Sequence, residues 1–358
     1  MSERFSTNDP TAPSASHVAL IAMSGGVDST VAAMLAKRDG FDCTGAMMRL
    51  CPGSGKGEAD AKLAADMLGI SFHVFDYSMD FADRIISRFI SAYRGGRTPN
   101  PCIDCNRYMK FGLLMHKAID SGADCLVTGH YACTERDSNG RHLLKKGADP
   151  AKDQSYVLYT LTQEQLSHIY FPLGGLTKRQ VRDIAAEAGF KNASQRESQD
   201  ICFVPDGDYI GFITGYTGET PAQGRFIDTD GNYLGMSKGV ECYTVGQRHG
   251  LGLAMPHPVY VLEIRPEDNT VVIGEKEMLY SKSLIMRDIN LIPVDKLESP
   301  IRARVRIRYK NVEQPATVSQ IDDDAIHIEF DEPQRAIAKG QSAAIYDGDY
   351  VIGGGTIV

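Results

Sequence analysis

What this sequence lacks narrows its function first. It has no run of about 18 apolar residues, so a membrane-spanning helix is not expected. Residues 1–16 are rich in Ser, Thr and Pro and hold no apolar stretch, which reads as a disordered tail and not a secretory leader. Cations are not in excess. The net charge of −8 excludes a generally basic nucleic-acid coat but leaves room for a local basic patch. No internal repeat is visible. The eight cysteines include only one CxxC, with no second pair and no His pair to complete a zinc site. In a soluble, cytoplasmic chain they read as thiols, metal ligands or catalysts, not as a disulfide framework. At 358 residues the chain exceeds one ordinary domain.

What is present begins with Met23-Ser24-Gly25-Gly26-Val27-Asp28-Ser29-Thr30. The apolar run His17 to Ala22 before it reads as a buried parallel strand, and Val27 to Lys37 after it as a helix. Glycines between a strand and a helix start let backbone N–H groups converge, and the helix dipole adds positive potential, so an anion can bind there. No lysine stands in the loop, unlike a Walker A loop, which suits pyrophosphate as a leaving group. The decoy Gly53-Ser54-Gly55-Lys56-Gly57 lacks Walker spacing and reads as a flexible loop. His130, without ligand partners in sequence, reads as a hydrogen-bonded structural or nucleotide-site residue.

Strand and helix then alternate to about residue 135: strands at 41–49, 70–75 and 124–128, helices at 58–68, around Phe81, Ile85, Phe89 and Tyr93, and at 108–121. This rhythm predicts an α/β fold whose first part is a doubly wound parallel sheet with ligands at the carboxyl ends of its strands. Residues 153–190 turn helical, with Thr177 as an N-cap. The expected division is a tail at 1–16, an anion-binding α/β domain at 17–205 with a helical part at about 153–195, a small central β-rich domain at 206–284, and a C-terminal β-barrel at 285–358.

A second site is Thr98-Pro99-Asn100-Pro101-Cys102-Ile103-Asp104-Cys105-Asn106. Its prolines put Cys102 and Cys105 on a stiff loop before a helix, and proximity to that helix start should lower the pKa of Cys105. A third cysteine, Cys202, follows a polar run at 192–198 and sits at a loop-to-strand junction.

Together these segments resemble the tRNA-specific 2-thiouridylase family of the PP-loop ATP-pyrophosphatases. The resemblance rests on SGGVDS near 24, TPNPCxxCN near 98, TGHY at 128–131, KDQSYVLY at 152–159, ICF at 201–203, TVGQRHGLG at 244–252 and RIRYK at 306–310. It implies adenylation of the 2-oxygen of the wobble uridine, position 34 in the anticodon arm of a tRNA. Pyrophosphate leaves, and sulfur then replaces the activated oxygen to give 2-thiouridine and AMP. It implies ATP contacts at Ala22, Met23, Ser24, Gly25, Gly26, Val27, Asp28, Ser29, Met48 and Gly129, with Mg²⁺ on the phosphates. It implies Cys105 as nucleophile and Cys202 as persulfide carrier, fed by a sulfur-donor protein or cysteine desulfurase. Asn100 and Pro101 match positions near the target base, and Lys152, Asp153, Gln154, Arg308 and Tyr309 match tRNA-contacting positions. Where many members carry an acid/base Asp, this chain has Cys102. Cys102, Cys105 and Cys202 are therefore also candidate ligands of a [4Fe–4S] cluster, and direct persulfide–disulfide chemistry is the other route.

The segment Ile301 to Lys310 gives separate support for RNA. In a strand, Arg302, Arg304, Arg306, Arg308 and Lys310 share one face, an array that suits phosphates. Pairing to acidic neighbours such as 322–324 and Glu329 is the bland alternative, in which case the docking surface expected for RNA is the helical segment around Lys178, Arg179 and Arg182. The rival functions are another PP-loop synthetase or amidotransferase, which needs no cysteine trio, and a non-catalytic tRNA-binding protein.

Overall fold

The computed structural model describes residues 17–51, 55–194 and 201–358, with only the backbone of 55, 56 and 194. The expected tail at 1–16, Gly53 and Ser54 of the decoy, and the polar residues 195–200 lie outside the described residues.

Seven strands belong to the first part of the chain: β1 (Val18–Ala22), β2 (Asp42–Arg49), β3 (Ser71–Asp76), β4 (Cys125–Val127), β5 (Ala132–Arg136), β6 (His142–Lys146) and β7 (Ile169–Tyr170). Five of them make a parallel sheet in the order β3-β2-β1-β4-β7. β1 runs outward to β2 on one side and to β4 on the other. The strand order reverses at its carboxyl end, which is where open α/β sheets form a ligand crevice. The Val27–Arg38 helix follows β1 and buries Val31, Ala32, Leu35 and Ala36 against the sheet.

The helix carrying Phe81, Ile85, Phe89 and Tyr93 runs from Ser78 to Arg94 and buries all four. The next helix departs from expectation. It begins at Pro101, not at 108, so Cys102 and Cys105 ride on the helix and not on a loop before it. Local chemistry explains the early start. Asn100 caps the helix by accepting from Cys102 N at 3.2 Å, and Pro101 occupies the first helical position, where its missing N–H costs nothing. From Cys105 to Leu114 the helix widens to i→i+5 bonding.

A short central unit follows: the Tyr209–Thr217 helix, then β8 (Gly224–Ile227), β9 (Tyr233–Ser237), β10 (Tyr260–Arg265) and β11 (Thr270–Gly274), ordered β10-β11-β8-β9. The last part is a closed antiparallel barrel of β12 (Tyr280–Leu291), β13 (Ile301–Arg306), β14 (Gln314–Asp322), β15 (Ala325–Arg335), β16 (Ser342–Asp347) and β17 (Tyr350–Ile357), with β12 pairing β17 to close the ring. The β5–β6 hairpin of the first part joins the edge of β17 through Tyr350 and Lys145. One apolar core accordingly runs from Leu20 and Phe111 to Tyr346 and Val351. Barrel and catalytic sheet are one packed body at that seam. Among the described residues no helix is long and apolar enough to cross a membrane.

Candidate active site

The crevice at the end of β1 is a cleft of about 290 Å³. Ala22, Met23, Ser24, Asp28, Ser29, Met48 and Gly129 line it, joined by Lys110, His130 and Gln154. The loop is drawn tight by its own hydroxyls. Ser24 N donates to Ser29 Oγ at 3.1 Å, and Ser29 Oγ donates to Gly26 O at 3.0 Å. Buried Asn192 reaches in from another helix and donates to Gly25 O and Thr30 Oγ1, both at 2.9 Å. Gly129 lies so close to the first helix that an added Cβ would stand 2.8 Å from the carbonyl carbon of Asp28.

The two glycines have different duties. Gly25 has φ +80° and a Cβ there would overlap Gly57 O, whereas Gly26 has φ −78° and room for a Cβ. Of the two, Gly25 and not Gly26 is the sterically constrained glycine. Gly57, from the decoy segment, is its packing partner at the start of the Gly55–Leu68 helix.

Asp28 is already engaged. Tyr131 donates to it at 2.6 Å, and Lys178 Nζ sits 2.7 Å from both carboxylate oxygens. Lys178 is buried, so it is not the docking cation expected of it; Arg179 beside it is exposed. A capping box of Thr177 with Gln180 sets this helix so that Lys178 meets the nucleotide loop. No sequence spacing links residues 28 and 178, so the pair was not legible beforehand. His130 is buried and accepts or donates one hydrogen bond with Thr128 Oγ1 at 2.7 Å. Burial, with help from Lys110, pushes its pKa well down and keeps it neutral.

Cys105 lies on the same helical segment as Lys110. Cys102 and Cys202 are exposed and Cys105 is half-buried. Cys105 belongs to the same apolar cluster as Ile201 and Phe203, the neighbours of Cys202, and Cys51, just past the end of β2. Cys51 is the thiol that sequence reasoning left out, since it belongs to no motif. Burial pushes Cys105 up to about 11, aggravated by Cys102, Asp104 and Cys51 and relieved by Lys110. Burial likewise pushes Cys202 up to about 12. The expected lowering of Cys105 is therefore corrected. The helix now starts at Pro101, so Cys105 lies a full turn past the N-terminus, and desolvation outweighs the dipole. Among the described residues no three His, Cys, Asp or Glu side chains are grouped to hold a metal. Cys102, Cys105 and Cys202 thus do not fit as a preformed cluster site among the described residues.

A second cleft opens between the Cys102 helix and the barrel. It is lined by Arg88, Arg97, Pro99, Asn100, Asp104, Arg107, Tyr159 and Asp288. Pro101 is buried beside it. Arg107 is bonded to Asp288 of β12 across this cleft.

The basic strand turns out largely paired. Arg302 meets Asp331 at 2.6 Å, Arg306 meets Glu313 at 3.1 Å and Asp153 at 3.5 Å, and Arg304 donates to Glu313 O at 2.8 Å. The strand ends at Arg306, so the five-cation face does not form. Arg308 donates to Ala336 O at 2.8 Å from a turn. The phosphate array is corrected to an internal ladder, because the neighbouring strands and the Asp153 loop supply carboxylates. Lys310 is exposed and has no ion pair among the described residues. Asp153 is buried and accepts from Gly147 N, Ser155 N and Ser155 Oγ, so its carboxylate shapes a loop. Gln154 accepts from Tyr131 N at 3.1 Å beside the nucleotide cleft. Tyr309 is exposed, its ring 6.0 Å from that of Tyr156. Burial raises the pKa of its hydroxyl, Asp153 adds to the rise, and Lys152 and Arg306 oppose it.

Family comparisons agree with this architecture. Residues 17–206 match the tRNA methyl transferase HUP domain, 210–275 the tRNA methyl transferase PRC-barrel domain, and 281–357 the aminomethyltransferase β-barrel domain. The tRNA-specific 2-thiouridylase MnmA of Clostridioides difficile (strain 630) is 45% identical over 350 residues, covering 94% of this chain and 97% of the relative. The protein of that name from Halothermothrix orenii is 44% identical, covering 94% and 98%. Tertiary overlap with solved structures is slight: a 4-thiouridine synthetase–RNA complex with bound ATP covers 54% of this chain and 46% of that one at TM-score 0.34 and 18% identity, too little to argue from. Near full-length identity at this level, over a crevice and a cysteine set in register with the motifs, makes the chain a member of the tRNA-specific 2-thiouridylase family.

Proposed function

We propose that this chain is an ATP-dependent tRNA-uridine 2-sulfurtransferase of the cytoplasm, acting on U34. The observation that carries the reading is that the crevice lined by Ser24, Asp28 and Ser29 also holds Lys110, which follows Cys105 on one helical segment. ATP with its Mg²⁺ enters as substrate at the crevice, with Ser24, Gly25, Gly26 and Ser29 receiving the phosphates. The uridine 2-oxygen attacks the α-phosphorus, the α–β bridge bond breaks, and pyrophosphate leaves. Backbone N–H groups at a helix start suit that leaving group.

Sulfur transfer then needs a persulfide, delivered to Cys202 by a sulfur-donor protein or cysteine desulfurase. Its terminal sulfur attacks C2, and AMP departs with the former 2-oxygen. The Cys105 thiolate attacks the Cys202 sulfur. A Cys105–Cys202 disulfide forms, and the electron pair of the broken S–S bond stays on the sulfur attached to C2, giving 2-thiouridine. An external dithiol, itself oxidised to a disulfide, supplies the two electrons that reduce the Cys105–Cys202 bond before the next turnover. Asn100 and Pro101 lie beside the nucleophile's helix start, where a flipped base would arrive, and exposed Tyr309 and half-buried Lys152 suit base stacking and phosphate contact.

The test combines the chain, ATP, Mg²⁺, unmodified tRNA and a persulfide-generating desulfurase, and reads 2-thiouridine by mass spectrometry. Product, AMP and pyrophosphate in equal amounts are expected. Cys105→Ser and Cys202→Ser should bind ATP and tRNA but form no product. Product formation by Cys202→Ser at the normal rate would overturn the assignment.

A further inference from the structure

The segment around Lys178 was the alternative docking surface for RNA, yet its buried polar groups turn inward to the nucleotide loop. Lys178 grips Asp28, and Asn192 reaches the loop from the short helical turn Lys191–Ser194. Asn192 belongs to no motif and is 5% exposed. Its Nδ2 donates to Gly25 O and to Thr30 Oγ1, both at 2.9 Å. A backbone carbonyl can only accept, so the NH₂ end of the amide is the end that faces the loop. Thr30 Oγ1 passes the contact on by donating to Gly26 O at 3.1 Å. Both carbonyls of the glycine pair are thereby tied to Asn192. The other end of the amide gains nothing: among the described residues Asn192 Oδ1 is buried without a donor. A buried acceptor left unsatisfied costs stability, so packing alone does not account for an asparagine there.

We propose that Asn192 is a positioning residue of the nucleotide loop: by holding the Gly25 and Gly26 carbonyls it aims the backbone N–H groups that receive the phosphates of ATP. This rests on the reading of the crevice as the ATP site. A trans peptide unit is planar, and its C=O and N–H point opposite ways. A Gly25 carbonyl drawn toward Asn192 therefore turns the Gly26 N–H to the other side of the loop. Among the described residues that N–H has no protein partner. Asn192 does not line the crevice, whereas Ser24, Asp28 and Ser29, on either side of this peptide in sequence, do. The loop needs the restraint. Neither glycine has a Cβ to bar the flipped arrangement of the peptide between them, and Gly25 already sits at φ +80°. A flipped peptide would present a carbonyl to an incoming phosphate. A donor fixed on another element closes that option before the ligand arrives, at no cost in reorganisation. The same stretch carries Lys178 onto Asp28, so residues 178–194 set both the backbone and the carboxylate of the site.

The test compares wild type, Asn192→Asp and Asn192→Leu as full chains. The aspartate keeps the shape but sets an acceptor against Gly25 O; the leucine keeps the bulk and removes both donors. Calorimetric titration with ATP and with adenosine, which carries base and ribose but no phosphate, separates the loop from the rest of the crevice. Asn192→Asp should weaken ATP binding about thirtyfold and Asn192→Leu about fivefold, with adenosine within about twofold of wild type for both. In tRNA-dependent exchange the KM for pyrophosphate should rise in the same order, with kcat falling by less than KM rises. Urea unfolding shows that each variant compared is folded. If Asn192→Asp does not fold, Asn192→Leu carries the same comparison. Unchanged ATP affinity in a folded variant would overturn the proposal. Equal losses for ATP and adenosine would overturn it too, because the residue would then support the crevice as a whole and not the loop. A wild-type chain that binds ATP but makes no 2-thiouridine would defeat the functional reading while the binding comparison still tests Asn192.

Discussion

The nucleotide loop and the barrel strand β13 both read from sequence as anion sites, and only the first is free to act as one. The loop is built from backbone. Its binding groups are N–H donors fixed by glycine and by the helix that follows, and no neighbouring element can neutralise them. β13 is built from arginine side chains, and Asp331, Glu313 and Asp153 reach them first. A backbone site is encoded within a few consecutive residues. The fate of a side-chain charge is decided by whichever strands and loops pack beside it, and those come from elsewhere in the chain.

The sharpest way to break this comparison is at Gly25. Gly25→Val forces a branched side chain into positive φ and against Gly57 O. It should lower ATP–pyrophosphate exchange by about a hundredfold or more, since several phosphate donors move together. Gly26→Ala, with an ordinary φ and open space, should cost about threefold or less. Equal damage from the two changes would mean that the loop is not held as described.

Next in size is Arg306→Ala. Arg306 ties Glu313 of the barrel to Asp153 of the catalytic part, and all three are largely buried. Removing it takes one partner from each of two buried carboxylates. Glu313 keeps Lys146 at 2.8 Å and Asp153 keeps its three other hydrogen bonds, so the expected cost is about 1–3 kcal/mol in urea unfolding. The sign matters. If Arg306 were a phosphate ligand, its loss would leave stability intact and weaken tRNA binding instead.

Much of the fold was legible for one physical reason: the relevant signals are local. The β1-loop-helix unit, the 81-85-89-93 helix face and the Thr177 cap each lie within one element. The helix start at Pro101 was missed although its signal, Asn before Pro, was present; the prolines were read as breakers when one of them is an N-terminal residue. Lys178 on Asp28 and Cys51 beside Cys105 were not legible, because each is a meeting of segments distant in sequence. Cys51 offers a smaller test. Cys51→Ser should speed Cys105 alkylation about two- to threefold by removing a neighbouring titratable thiol, whereas Cys43→Ser, buried against the other face of the sheet, should not.

The smallest expected effect concerns what remains of the basic strand. Lys310 is exposed, and no carboxylate pairs with it among the described residues. It shares its turn with exposed Tyr309. Arg302 is also exposed but is committed to Asp331 through two hydrogen bonds. Counterion release makes the two distinguishable. A cation that meets a phosphate lowers the salt slope of binding by about 0.7–0.9 when removed, whereas one that meets a carboxylate in both free and bound protein leaves it unchanged. Lys310→Ala should flatten the salt dependence of tRNA binding by about one such step, and Arg302→Ala should not. Filter binding at several potassium chloride concentrations reads both. The reverse result, with Arg302 carrying the slope, would mean that RNA displaces Asp331, and that a carboxylate partner in the free protein does not retire a cation from binding after all.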